Sequence, residues 1–147
     1  MIAYPHPVNI SRDIGELRKL LLTAKRIAVV GASPRPDRDS YKIFEYLLSM
    51  GYEAIPVNPA QDAILGQKCY PDVKSIPGEI DIVDVFRNPE HMPEVVADAI
   101  AAKAKSVWMQ LDTGNRDAAT LAVDAGLDVV YELCIRTVHS TMRIPKK

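Results

Sequence analysis

The chain has 147 residues and a formal net charge of -1, with 48% of residues hydrophobic and 25% charged. That balance excludes a general attraction to nucleic acid or anionic lipid, so any cationic site must be local. No apolar run approaches the roughly 20 residues that cross a bilayer, and the length suits one domain with a real core, 1–147.

Residues 1–9 carry two prolines in YPHP and read as irregular. Ser11 reads as the N-cap of a first helix whose apolar face is Ile10, Ile14, Leu17 and Leu21. Ile27 to Val30 is a continuous apolar run, as in a buried parallel strand. A glycine-led loop, GASPRPDRDSY, follows from Gly31. Helical spacing then resumes at Ile43, Phe44, Leu47 and Leu48. Glu53 to Val57 is the second strand, and Asn58-Pro59 turns the chain. Residues 60–79 show little periodicity and read as a long loop with at most a short helix. Ile80 to Phe86 is the third strand, with Asp81 and Asp84 placed at an edge or end. A helix with Met92, Val95, Val96, Ala99 and Ile100 on one face leads to the fourth strand, Ser106 to Gln110. Another helix, with Ala118, Leu121, Ala122 and Ala125, ends at Gly126. Asp128 to Tyr131 is the fifth strand, and the tail HSTMRIPKK reads as polar and basic.

Strands alternating with helices predict an α/β, Rossmann-like, doubly wound parallel sheet of five strands with helices on both faces. Repeats and linkers are absent from the sequence. In such folds ligands sit beyond the carboxyl ends of the strands. Four segments converge there: the loop after the first strand, Asn58-Pro59, Phe86-Arg87 and Met109-Gln110.

A strand, a glycine turn and a helix start aim backbone N–H groups at a phosphate. The loop adds Arg35 and Arg38, with Lys42 close behind. It is not GxGxxG, and the second strand ends in Val57-Asn58-Pro59 without a carboxylate for a ribose, so the pattern fits NAD poorly. Two guanidinium groups suit a ligand with a pyrophosphate and a further phosphate, which describes coenzyme A; the 2′-phosphate of NADP would attract the same pair. The competing reading has both arginines solvated and balanced by Asp37 and Asp39.

RIAVVGASPRPDR, GYEAIPVNP with its ILG, DIVDVFRNPE, SVWMQ and AGLDVVYELCI together resemble the CoA-binding domain family, small stand-alone proteins similar to the N-terminal domain of the succinyl-CoA synthetase alpha subunit. The resemblance runs from about residue 13 to 135. It implies a Rossmann-like fold with CoA across the strand ends. It implies that Gly31, Ala32, Ser33, Pro34, Arg35 and Arg38 form the phosphate loop, and Asn58 and Pro59 a second contact turn. Phe86 and Arg87 then flank the nucleotide, and Met109 and Gln110 lie near the pantetheine. LDTGN after Gln110 departs from the family pattern, with its glycine later than expected.

No catalytic set is assembled by spacing alone, so the expected function is binding of CoA or an acyl-CoA by a regulatory or carrier module. An NAD(P)-dependent oxidoreductase or an acyl-CoA ligase component acting with a partner chain is the alternative, and a second copy of the chain is the other companion considered. His6, His91 and His139 are too scattered for a metal cluster. Cys134 reads as a small buried hydrophobe, with a nucleophile or a mixed disulfide with CoA as the alternative. Cys69 sits in the long loop. Neither cysteine belongs to a disulfide framework, and no leader pattern opens the chain, which favours the cytoplasm.

Overall fold

The computed structural model describes residues 9–147; the expectations for residues 1–8, His6 included, lie outside it. The elements in order are α1 (Ile14–Thr23), β1 (Arg26–Val30), α2 (Asp39–Ser49), β2 (Glu53–Val57), β3 (Ala63–Ile64), β4 (Gln67–Lys68), β5 (Ile82–Val85), α3 (Met92–Ala101), β6 (Ser106–Met109), α4 (Arg116–Asp124), β7 (Asp128–Tyr131) and α5 (Ile135–Thr141). The main sheet has five strands in the order β2-β1-β5-β6-β7, all neighbours parallel. The fold is α/β and Rossmann-like, as the alternation of elements predicts. The order reverses between β1 and β5, so the loops leaving those two strands part and open a crevice at their carboxyl ends.

Strand side chains alternate between two cores. Ala28, Val30, Val83, Val85, Val107 and Met109 pack with Val95, Val96 and Ala99 of α3 and Ala118 and Ala122 of α4. Ile27, Val29, Ile82, Trp108 and Val130 pack with Leu17 and Leu21 of α1, Phe44 and Leu47 of α2 and Ile135 of α5.

Several local expectations are corrected. Asp13, not Ser11, caps α1, its carboxylate accepting the Glu16 N–H at 3.0 Å. Ile14 at 71% exposure and Leu121 at 55% face solvent, because both helices bury a narrower stripe than their apolar content predicts. The long loop contains the antiparallel β3–β4 hairpin and a short 3-10 turn at Val73–Ser75. The tail forms α5 and buries His139 and Ile144. Asp84 lies in the middle of the sheet, paired in register with Val29 and Trp108, and is fully buried rather than at an edge.

Both outer strands are covered. Along β7, Asn9 Oδ1 accepts the Val129 N–H at 2.6 Å, Ser11 Oγ accepts the Tyr131 N–H at 2.7 Å, and Ile10 N–H donates to the Val129 carbonyl. Along β2, the Pro56 carbonyl turns outward to accept the Tyr70 N–H at 3.0 Å. The proline nitrogen therefore faces away from β1 and costs no ladder bond.

Candidate functional site

The crevice is walled by the turn after β1. Gly31 has φ of +84°, and a Cβ there would stand 2.9 Å from the Phe86 carbonyl oxygen, so this position is reserved for glycine. Its N–H donates to the Val57 carbonyl at 3.1 Å. Ala32 is buried, and its carbonyl accepts the Asn58 side-chain N–H at 2.8 Å. Asn58 Oδ1 also accepts the Ala60 N–H, so Asn58 works as a strut between the two turns.

Two connected hollows form the main groove. One, of about 400 Å³, is lined by Gly31, Ser33, Arg38, Ser40, Phe86 and Arg87, among others. The next, of about 470 Å³, is lined by Lys42, Ile43, Gln110, Cys134, Arg136 and Thr137. They share Asp39, Phe86, Leu111 and Asp112, so they form one trough across the strand ends. Each volume lies in the range of small-molecule sites, roughly 300–1,000 Å³. A smaller cavity of about 90 Å³ branches off beside Gly31 and Arg87, lined by Val30, Val57, Asn58, Pro59 and Val73 with Asp72, Glu94 and Asp98.

The structure thus brings Gly31, Ser33, Arg38, Phe86 and Arg87 together. Pro34 and Arg35 stand on the exposed part of the loop, and Arg35 is paired with Asp37 at 3.2 Å. Met109 is fully buried in the core against α3 and α4. Gln110 is buried as a strut: its Oε1 accepts the Ile135 N–H at 3.0 Å and fixes the start of α5. Among the described residues Arg38 and Arg87 form no salt bridge.

Arg38 is also the N-cap of α2, and it supplies no side-chain hydrogen bond to that helix. Helices α1 and α4, by contrast, are closed by Asp13 and Asn115. The first N–H groups of α2 are left without a protein cap where the groove passes Ser40, and a helix start of that kind receives anions.

The loop after β6 forms the opposite wall. Glu132 accepts the Asp112 N–H at 2.9 Å and the Gly114 N–H at 2.6 Å. Thr113 bonds back to the Gln110 carbonyl through its N–H and its hydroxyl. At the far end, burial pushes the Cys134 thiol up, but the nearby polar groups of Thr137, Gln110 and the Arg136 backbone outweigh it and hold the thiol below its usual range. Burial, with the charge of Cys134 second, holds the Asp84 carboxyl well above the usual carboxylate range. Cys69 is buried and its thiol is pushed up, first by burial and then by Asp62.

A sequence model described as "CoA binding domain" matches residues 25–140. The chain belongs to that family. The uncharacterized protein YneT of Bacillus subtilis (strain 168) is 40% identical over 128 residues, covering 87% of this chain and 95% of that one. The ADP-forming acetate–CoA ligase II of Archaeoglobus fulgidus is 37% identical over 87 residues, 58% of this chain and 13% of the ligase, so this chain corresponds to a small part of that enzyme. A solved structure of a hypothetical protein from Pyrococcus horikoshii OT3 superposes with a TM-score of 0.88 at 40% identity, over 97% of this chain and 99% of that one. The dinucleotide-forming acetyl-coenzyme A synthetase 1 of Ca. Korarchaeum cryptofilum, in complex with phosphate and ADP, gives 0.68 at 28% identity, over 78% of this chain and 27% of that one.

At the far end of the groove the sequence reading named Gln110 and weighed Cys134, but it missed Arg136 and Thr137. Ile135, Val138 and Met142 do carry helical spacing, and that signal would have placed Arg136 and Thr137 on a helix facing the crevice.

Proposed function

We propose that this CoA-binding domain holds coenzyme A or an acyl-CoA along the trough. The uncapped start of α2 with Arg38 and Arg87 receives the phosphates, and the pantetheine runs past Phe86 and Gln110. The observation that carries this reading is the meeting of an uncapped helix start with two cations that have no salt-bridge partner among the described residues, at the mouth of a groove of ligand size. Helix-end attraction contributes only about 0.3–1 kcal/mol per charge, so side-chain cations supply most of the grip. Arg35 is tied to Asp37 on the exposed loop and contributes less. Two free thiols support a cytoplasmic setting.

Titration calorimetry with CoA, dephospho-CoA, NADP and ATP tests the reading. CoA binds tightest, and Arg38→Ala and Arg87→Ala each weaken it by about tenfold, the worth of one charge-assisted contact of about 1.4 kcal/mol. NADP binding more tightly than CoA would replace the ligand, and dephospho-CoA matching CoA would remove the role given to the cations. The ADP-forming acetate–CoA ligases among the relatives favour a second reading, in which the chain serves a ligase reaction beside a partner chain. Acetyl-CoA formation only when such a partner is added would establish that version.

A further inference from the structure

A buried imidazole fastens α5 to the body of the domain. His139 has 0% exposure, and its Nε2 has no hydrogen-bond partner. Its Nδ1 lies 2.7 Å from the Tyr46 hydroxyl of α2. The rings of Tyr46 and Tyr52 stand edge-on to it, 5.4 and 5.7 Å away between centroids. The end of the chain holds the helix down: the Ile144 N–H donates to the His139 carbonyl at 3.1 Å, and the Lys147 N–H donates to the Met50 carbonyl at 2.9 Å. The Lys147 ammonium donates to the Leu22 carbonyl and lies over the Tyr52 ring.

The same tyrosine reaches the groove. The Arg136 guanidinium sits over the Tyr46 ring at 5.2 Å, and Arg136 and Thr137 line the far hollow. Tyr46 therefore joins His139 to the wall of the trough. A neutral imidazole carries one hydrogen, so Nε2 is a bare lone pair when Nδ1 holds it. A second proton makes Nε2 a charged, buried donor without an acceptor, which the closed packing disfavours. The surroundings offer no relief. Arg136, Lys147 and Arg18, which donates to the Met142 carbonyl, are all cations, and burial keeps the phenols of Tyr46 and Tyr52 neutral. Among the described residues no carboxylate pairs with His139.

We infer that His139 is a proton-sensitive latch: a second ring proton frees α5 from α2, withdraws Arg136 and Thr137 from the far hollow and weakens ligand binding as the solution turns acid. The latch belongs to the fold, while its effect on a ligand rests on the CoA reading above.

Two measurements separate them. In the ligand-free chain, amide exchange over Ile135–Thr141, corrected for intrinsic rates, speeds at least about tenfold from about pH 7.5 to 5.5, with β1 and β5 little changed. His139→Gln, which stays uncharged, abolishes that dependence, and Tyr46→Phe speeds α5 exchange already at the higher pH. Calorimetry then follows CoA over the same range, where its own phosphomonoester takes up a proton near about pH 6. Wild-type affinity falls at least about fivefold further than that of His139→Gln, the low end of ordinary coupling between two sites. If His139→Gln does not fold, proton NMR of the wild-type ring decides, since CoA must then lower the pH at which His139 is protonated. Exchange at α5 that ignores pH, or responds equally in His139→Gln, overturns the latch. Parallel affinity curves for the two proteins, or a ring titration unmoved by CoA, overturn its hold on the groove. A pH-gated α5 without CoA binding at the higher pH defeats the CoA reading alone.

Discussion

Asp84 is the residue whose placement asks most of the fold. It occupies an interior position of β5 with both oxygens unpartnered. Leaving a buried polar group without a hydrogen bond costs roughly 1–3 kcal/mol in proteins. Asp84→Leu, an apolar side chain of similar size between Val29 and Trp108, is therefore expected to stabilise the chain by about 1–3 kcal/mol in urea denaturation at neutral pH. An unchanged or lower midpoint would mean that the carboxyl has a partner in solution. The charge pattern of the sequence could not reveal this. In IDIVDVF the two aspartates look alike, yet Asp81 sits at the strand's entrance, where it accepts the Lys25 and Arg26 N–H groups and pairs with Lys105, while Asp84 is enclosed. Pattern distinguishes strand from helix, but it does not distinguish the middle of a parallel strand from its edge.

At the scale of elements, the wall facing the loop after β1 is tied across to the next strand's end by one side chain. Glu132 fastens residues 111–115 through two backbone N–H groups. Charge-assisted bonds of this kind contribute about 1.5–3 kcal/mol each. Glu132→Ala is expected to speed amide exchange at Asp112 and Gly114 by at least tenfold, with little change at β1 or β5. Uniform exchange rates in the variant would place the loop's restraint elsewhere. Helix α5 carries a second testable bond. His139 is buried, with Nδ1 2.7 Å from the Tyr46 hydroxyl, and burial, then Lys147, holds its pKa below the usual value. Its contribution to stability is therefore complete above the ordinary histidine pKa of about 6.5 and is lost as pH falls from there through the depressed folded value. The melting temperature should drop between pH 7.5 and 5, and His139→Gln should flatten that drop. The drop persisting in full would assign it to other groups.

Across the whole molecule, the buried Asp84 and His139 act in opposite directions. Beyond the cost of its missing partners, the raised pKa of Asp84 adds a pH-linked penalty that is absent below about 3.9, the ordinary aspartate value, and grows as pH rises toward its folded value. His139 adds its own penalty toward acid. The architecture itself was readable from the chain, since Ile27–Val30 and its successors announce a parallel sheet and Gly31 announces the turn. The near half of the groove was legible as a candidate site too, because its loop chemistry is contiguous in sequence. The far half was legible only in part: Gln110 and Cys134 stood out, but Arg136 and Thr137 join Lys42 and Phe86 only once α5 folds back onto α2, and a polar tail such as HSTMRIPKK conceals a helix whose buried side is partly histidine. The Met109 side chain turns into the core shared with α3 and α4, since a strand's last residue points into one core or the other by parity alone.

Parity also governs what this sheet can do to its neighbours. Asn9 and Ser11 imitate a missing strand, offering oxygens where an intruding backbone would place its own, and Pro56 faces outward on the opposite border. Neither border is open to templating another chain, so crowding these molecules together should not stitch them into ribbons. Asn9→Ala with Ser11→Ala would bare one border, and light scattering on gentle warming should then rise well before the parent protein turns cloudy. Any natural companion of this domain is accordingly expected to meet it through helices or loops.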